Sequence, residues 1–215
     1  MEGRISLQEL ERELDRCLKK QQAVYAVVAM IGTTEEGAVD PLHELLALRR
    51  KFQKKGLSFL VHADAAWGGY FASMIPKPLE KPKGGKAAEK VPVLPLKEAT
   101  VEDIVALKEA DSITVDPHKA GYTPYPAGSL CYRDGRMRFL VTWTSPYLAQ
   151  GSSRDSIGIY GVEGSKPGAA AMGAWLSNHS IGLGTGGYGS LLGEAAFTSA
   201  RVRLFERSVC VGILC

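Results

Sequence analysis

"LSFLVHADAAWGG", Leu57 to Gly69, decides how the rest of the chain reads. A short apolar run passes straight into His62-Ala63-Asp64-Ala65-Ala66 and then into two glycines. A run of this length, with no polar alternation and glycine beyond it, reads as a strand buried on both faces, as in a parallel sheet. Immediately upstream, "DPLHELLALRRKFQKKG" (Asp40–Gly56) reads as a helix, with Asp40 as N-cap, Pro41 at the first helical position and Gly56 as C-cap. Before it, "AVYAVVAMIG" (Ala23–Gly32) is a second buried strand. Ser6-Leu-Gln-Glu9 has capping-box spacing and opens a charged helix to about Lys20, with Leu7, Leu10, Leu14 and Leu18 on one face. Downstream, Thr100 to about Ala110 reads as a helix capped by Thr100, with Asp103 three residues on. Ile113–Val115 is a third strand, and Gly128–Tyr132 with Phe139–Thr142 suggests a hairpin of further strands.

Helix, strand, helix, strand, helix, strand is the order of a parallel α/β layer. In such sheets ligands sit beyond the carboxyl ends of the strands. Those ends are Gly32-Thr33-Thr34, His62-Ala63-Asp64-Ala65-Ala66 and Asp116-Pro117-His118-Lys119, so Thr34, Asp64 and Lys119 are expected on one rim. The composition suits this reading. Of 215 residues, 45% are hydrophobic and 23% charged, enough apolar material for a core. No apolar run has the length of a membrane span, and the first residues hold no apolar signal-peptide region. The four cysteines lie far apart with no CxxC pair, the pattern of reduced thiols in an intracellular, cytoplasmic protein. Between Lys77 and Lys97 six lysines and two glutamates give +4 against a whole-chain net charge of +3, so the basic balance belongs to one Pro/Gly/Lys-rich insertion and marks no nucleic-acid surface. That segment reads as a solvated insertion, the alternative being a module for an acidic partner.

Lysine is among the residues least willing to leave water, so a buried strand that ends on His118-Lys119 needs a reason. A desolvated lysine amine is a nucleophile toward aldehydes, and a buried carboxylate on the same rim requires a cationic partner. Pyridoxal phosphate supplies both: an aldehyde for Lys119 and a pyridinium nitrogen for Asp64. The small Ala66 would let its ring lie flat against the chain, and Gly68 and Gly69 allow close backbone passage.

"GTTEEGAVDPLHEL", "HADAAWGG" and "DSITVDPHKAGY" together resemble three consecutive signatures of the group II pyridoxal-phosphate-dependent decarboxylases, the family of glutamate, aromatic-amino-acid and tyrosine decarboxylases. The resemblance covers about Val24 to Leu130 and continues more loosely to about Gly189. It implies an α/β large domain of the aspartate-aminotransferase type (fold type I), a mainly parallel sheet flanked by helices. It implies further that Lys119 forms the Schiff base with the cofactor and later carries protons. Asp64 then pairs with the pyridine nitrogen, Thr34 lies near the ring 3-hydroxyl and the substrate carboxylate, Ala66 packs on the ring face, and His118 and Asp116 sit near the phosphate. Many relatives have Asn at the position of Asp116, for which a turn role before Pro117 is an equal reading. His62 resembles the family histidine of the same motif, with strand-end packing the alternative. Tyr160 could match a mobile-loop tyrosine, and Ser165-Lys166 could reach a phosphate from a helix start. His43, His179, Trp67 and Trp143 read as surface, packing or cleft-wall residues.

The family members are longer, with a glycine/serine-rich phosphate loop and a ring-stacking histidine in an N-terminal half that nothing before Gly32 matches. The chain is therefore expected to be an incomplete large domain over residues 1–190, with a flexible insertion at 77–99 and a truncated helical end at 191–215. A sheet lacking strands exposes edges and apolar faces, so poor solubility or dependence on a partner chain is expected. The implied activity is that of a carboxy-lyase releasing CO₂ from an amino acid, with a homodimer as the full-length form. The alternatives are another reaction on the same fold, aldol-type cleavage or transamination, and an inactive remnant that keeps the cofactor motifs.

Overall fold

A computed structural model describes residues 3–76, 93–141 and 167–213, the stretch 203–213 as backbone course alone. Tyr160, Ser165, Lys166, Trp143 and most of the basic insertion (77–92) lie outside the described residues.

Helix α1 (Leu7–Lys19) starts where the capping-box spacing places it, the Ser6 side chain accepting the Glu9 N–H at 3.3 Å. It lays Leu14 and Cys17 into the core, with Leu7, Leu10 and Leu18 packed at the margin. Strands β1 (Ala26–Met30) and β2 (Leu60–Asp64) pair in parallel, Met30 opposite Asp64. Strand β3 (Ser112–Val115) joins β2 in parallel with Thr114 opposite Asp64, and β4 (Ser129–Tyr132) closes the order β1-β2-β3-β4 antiparallel to β3. The parallel pairs are linked by α2 (Leu42–Gln53) and α3 (Glu98–Ala106). Leu42, Leu45 and Phe52 of α2, with Ile104 of α3, fill the space over Val27, Ala29, Val61 and Ala63 with almost no residual exposure. A second, smaller cluster gathers Tyr70, Ala120, Tyr188 and Leu192 where α4 (Gly168–Ile181) and α5 (Tyr188–Ile213) meet the short 3₁₀ turn Gly69–Met74. Helix α5 runs unbroken through positions 190 and 191. Among the described residues no helix is long and apolar enough to cross a membrane.

Four local expectations change. The strands are not buried on both faces: β1 alternates exposed and buried, and Val28, Leu60 and Leu130 keep 49%, 44% and 51% exposure. Helices α1, α2 and α3 contribute to the core on the face of Ala29 and Ala63. Asp40 does not cap α2. Pro41 stands at the N-cap, and the buried Asp40 carboxylate accepts the N–H groups of Ile5 and Met30, both at 2.7 Å. Accepting these two backbone N–H groups, the carboxylate is not available to the first helical turn. Thr100 lies inside α3, whose N-cap is Lys97, and Asp103 is turned inward to His43. Residues Gly135–Val141 form a 3₁₀ helix instead of a strand, because Asp134 accepts the Arg136 N–H on its side chain and the Met137 N–H on its backbone and so starts a helical turn.

Candidate active site

The backbone of Asp116-Pro117-His118-Lys119 closes a turn at the carboxyl end of β3, the Lys119 N–H donating to the Asp116 carbonyl at 3.0 Å. Asp at the first position and Pro at the second suit such a turn. The turn brings both charged side chains to one side: Lys119 Nζ lies 2.7 Å from Asp116 Oδ2. The lysine side chain is 23% exposed and the aspartate 13%, so the expected desolvated, unpaired amine is instead a half-sheltered ion pair. His118 completes the cluster. Its Nε2 lies 3.5 Å from the same Asp116 oxygen, its Nδ1 lies 2.6 Å from the Ala127 carbonyl oxygen and 3.1 Å from the Ala127 nitrogen, and the Tyr125 ring packs 3.9 Å away, centroid to centroid.

The Asp116 N–H donates to the Ala66 carbonyl at 3.3 Å and so ties this turn to the loop after β2. In that loop Asp64 accepts the Ala66 N–H on Oδ1 at 3.2 Å, and its other oxygen has no partner among the described residues. Ala66 is half-buried, and the exposed Trp67 ring stands 5.8 Å from Lys119 Nζ. The expected close passage at Gly68 and Gly69 is present: a Cβ on Gly68 would fall 2.0 Å from the Ile31 carbonyl oxygen, and one on Gly69 2.8 Å from Val115.

The two threonines of the Gly-Thr-Thr motif divide the work. Thr33 is used by its own turn, accepting the Ala38 N–H at 3.0 Å and donating to Glu36 at 3.1 Å. Thr34 is exposed and lines a cavity of about 650 Å³ with Trp67 and Gly68. Neither Asp64 nor Lys119 lines that cavity; Trp67, which does, has its ring 5.8 Å from Lys119 Nζ. A second cavity, about 720 Å³, lies behind β3 and β4 against α4 and is largely apolar. The amine and the Asp64 carboxylate lie beyond and at the carboxyl ends of β3 and β2. A reachable primary amine, a carboxylate with a spare oxygen on the neighbouring strand and a small residue beside it are a donor set that fits an aldehyde-bearing pyridine ring.

The family model described as pyridoxal-dependent decarboxylase conserved domain matches residues 1–188. The chain belongs to this family. Among curated relatives, L-tyrosine decarboxylase of Enterococcus faecium is 34% identical, covering 94% of this chain and 35% of that enzyme. The L-tyrosine decarboxylase of Levilactobacillus brevis is 36% identical over 89% of this chain and 32% of its own. The chain thus spans about a third of the length of the curated relatives it matches. Among solved structures, mouse CSAD in apo form superposes with a TM-score of 0.60 at 23% identity, covering 95% of this chain and 37% of that one. These likenesses establish the fold of the pyridoxal-dependent decarboxylases for this chain.

Within this decarboxylase domain His62 is a clip between strands. Its Nδ1 meets Ser112 Oγ at 2.8 Å and its Nε2 meets Thr114 Oγ1 at 3.1 Å, so both ring nitrogens are engaged by β3. Two tyrosines that sequence reasoning passed over hold the lysine loop from behind. Tyr188, fully buried, donates to the Gly121 carbonyl at 2.7 Å, and the Tyr70 ring meets it edge-on at 4.9 Å while donating to Asn178 at 2.9 Å. Burial holds both phenols above the ordinary tyrosine range. The available signal was Gly121, where a Cβ would fall 2.5 Å from the Tyr70 ring.

Proposed function

We propose that this chain carries the cofactor-binding core of a pyridoxal 5'-phosphate-dependent amino-acid decarboxylase. The observation that supports it most is the placement of Lys119, on a turn at the end of β3, beside the end of β2 and its Asp64 carboxylate. Bound pyridoxal phosphate supplies an aldehyde for the lysine and a ring that takes up the electron pair left at Cα when CO₂ departs. Lys119 offers the amine that holds the cofactor, yields to the substrate amine and returns a proton afterwards. Asp64, through its unpartnered oxygen, keeps a proton on the pyridine nitrogen. Ala66 would lie against the ring face, Thr34 would orient the 3-hydroxyl and the substrate carboxylate, and His118, with Asp116 3.5 Å from its Nε2, would stand at the phosphate end. The full-length enzyme is read as a cytoplasmic homodimer acting on an amino acid. Because relatives at 34–36% identity are named L-tyrosine decarboxylases, L-tyrosine is the first substrate to test.

The test is to add pyridoxal phosphate to the 215-residue chain, reduce with borohydride and map the modified lysine, with Lys119→Ala as control. A label confined to residue 119 and lost in the variant is expected; a label elsewhere rejects the assignment. In the full-length enzyme, CO₂ and amine are the expected products, and a keto acid or an aldehyde points to another reaction on this fold.

A further inference from the structure

The lysine loop is tied to the Asp64 loop at two points, one on each side of Lys119. Before the lysine, the Asp116 N–H donates to the Ala66 carbonyl at 3.3 Å. After it, Gly121 lies flush on the Tyr70 ring: a Cβ there would fall 2.5 Å from the ring and 2.6 Å from the Pro117 carbonyl oxygen. Tyr70 follows Asp64 in one compact loop, where the Gly69 N–H donates to the Ala65 carbonyl at 2.8 Å and the Ala65 N–H to Thr114 of β3 at 3.0 Å. The Tyr70 hydroxyl is fixed by Asn178 of α4 at 2.9 Å. A glycine two residues past the amine is a hinge unless something holds it, because glycine adopts more backbone conformations than other residues. Tyr188 holds it, donating from α5 to the Gly121 carbonyl at 2.7 Å while meeting the Tyr70 ring edge-on at 4.9 Å. The same hydroxyl also meets Ser177 of α4. Both tyrosines are buried, so water does not compete for these bonds. One tie would let the lysine loop pivot against Asp64; two ties, on opposite sides of Lys119, set a single spacing.

We propose that Tyr70 and Tyr188 are positioning residues that act through Gly121 to set the spacing between the Lys119 amine and the Asp64 carboxylate, so that one pyridine aldehyde reaches both. The inference rests on the reading of Lys119 and Asp64 as the cofactor groups. In the step concerned the amine nitrogen adds to the aldehyde carbon, the carbonyl oxygen leaves as water, and C=N replaces C=O with no change in oxidation state. An aldehyde with no ring nitrogen needs only the amine and is indifferent to where Asp64 stands. A pyridine aldehyde gains from Asp64 only while the spacing holds.

The experiment exposes the 215-residue chain, wild type, Tyr188→Phe and Tyr70→Phe, to pyridoxal and separately to salicylaldehyde, which keeps the hydroxyl beside the aldehyde but has no ring nitrogen. Samples are quenched with borohydride at timed intervals, and the peptide holding residue 119 is quantified by mass. Each rate is divided by that of Nα-acetyl-lysine with the same aldehyde. Circular dichroism checks folding at the working temperature, and Tyr70→Phe, which keeps the Tyr188 bond, decides the matter if Tyr188→Phe does not fold. Wild type is expected to favour pyridoxal. Tyr188→Phe is expected to lose about tenfold with pyridoxal, within the ~hundredfold that an ångström of misplacement can cost, and to stay within about twofold with salicylaldehyde. Tyr70→Phe shifts the ratio in the same direction. A purely stabilising role would lower the unfolding temperature and leave the ratio alone, so an unchanged ratio in the folded variants overturns the proposal, as do equal losses with both aldehydes. Wild type that forms no adduct at residue 119, or shows no preference for pyridoxal, rejects the reading of Lys119 or of Asp64 and the tyrosine proposal with it, a result distinct from the other two.

Discussion

The Tyr188 hydroxyl donates to the Gly121 carbonyl across 67 residues of sequence, and this bond fastens the loop that follows Lys119 to the start of α5. Both groups are buried, so removing the donor leaves the carbonyl only the longer bond from Thr123 Oγ1 at 3.4 Å. Tyr188→Phe keeps the ring and is expected to cost about 1–3 kcal/mol in urea denaturation. The Tyr122 and Thr123 amides, which close the same loop onto Lys119 and Pro117, should exchange hydrogen faster in the variant. Unchanged exchange at those two amides would show that the bond does not hold the loop.

Asp111 is the tightest electrostatic joint in the sheet. Its carboxylate takes Arg49 of α2 at 2.6 Å, Arg133 after β4 at 2.5 Å and the Val61 N–H of β2 at 2.8 Å. Burial alone would raise its pKa, but the Val61 bond and the two guanidinium groups outweigh it and hold the carboxyl below its ordinary value. Asp111→Ala should lose about 3–5 kcal/mol, since it strands the buried Arg49. A group with a depressed folded pKa stabilises above its unfolded value of about 3.9 and loses that contribution as pH falls through the folded one. The stability gap between wild type and Asp111→Asn should therefore stay open from pH 7 to about 4 and close only below that. A gap that closes near neutrality would contradict the assignment.

His43 behaves with the opposite sign. Its Nδ1 lies 2.7 Å from Asp103, a carboxylate with no exposed surface that also meets Arg4 at 3.4 Å, and its Nε2 is 3.8 Å from Glu102. The Asp103 hydrogen bond raises the His43 pKa; burial opposes this, and the charges of Asp103, Glu102 and Glu44 add to the rise. A raised histidine stabilises fully below its unfolded value of about 6.5 and loses that contribution as pH climbs through the folded value. The difference in Tm between wild type and His43→Gln should be largest in mild acid and shrink on the alkaline side. A pH-independent difference would leave only a packing role for the ring.

Gly68 is a steric requirement with an ordinary backbone, φ −79°. A methyl group there meets the Ile31 carbonyl at 2.0 Å, and neither backbone segment can step aside without moving β1 from β2. Gly68→Ala should destabilise by about 3 kcal/mol or lead to insoluble protein. Gly56→Ala makes a useful comparison: Gly56 has open space around it but φ +91°, so about 1 kcal/mol of conformational strain is the whole expected cost. Equal losses in the two variants would mean that the close approach at Gly68 relaxes without penalty.

Much of this protein was legible in the linear sequence because its signals are local. The Ser6 cap and the strands β1, β2 and β3 follow from hydrogen bonding and side-chain pattern over a few residues, whereas α2 is capped at Lys54, two residues before the expected Gly56. The proximity of Asp64 to the lysine turn followed from topology, since parallel strands bring their carboxyl ends to one edge. The errors came where a short polar side chain had a distant alternative. Asp40 and Asp103 look like helix-start residues until the fold offers Met30 to one and His43 to the other.

The sequence by itself determined the alternation of helix and strand, the motif glycines and the residue types at the strand ends, because each is set by neighbours along the chain. Only the tertiary structure decided what those side chains do to each other. It engaged both nitrogens of His62 with β3, put Trp67 both on the Thr34 cavity and beside the Lys119 amine, and placed two distant tyrosines behind the lysine loop. It also gave Lys119 an anionic partner three residues away, a contact that depends on the turn at Pro117 and on the Ala66 carbonyl that anchors it. A pairwise charge interaction falls off over a few ångströms, and only folding fixes distances on that scale.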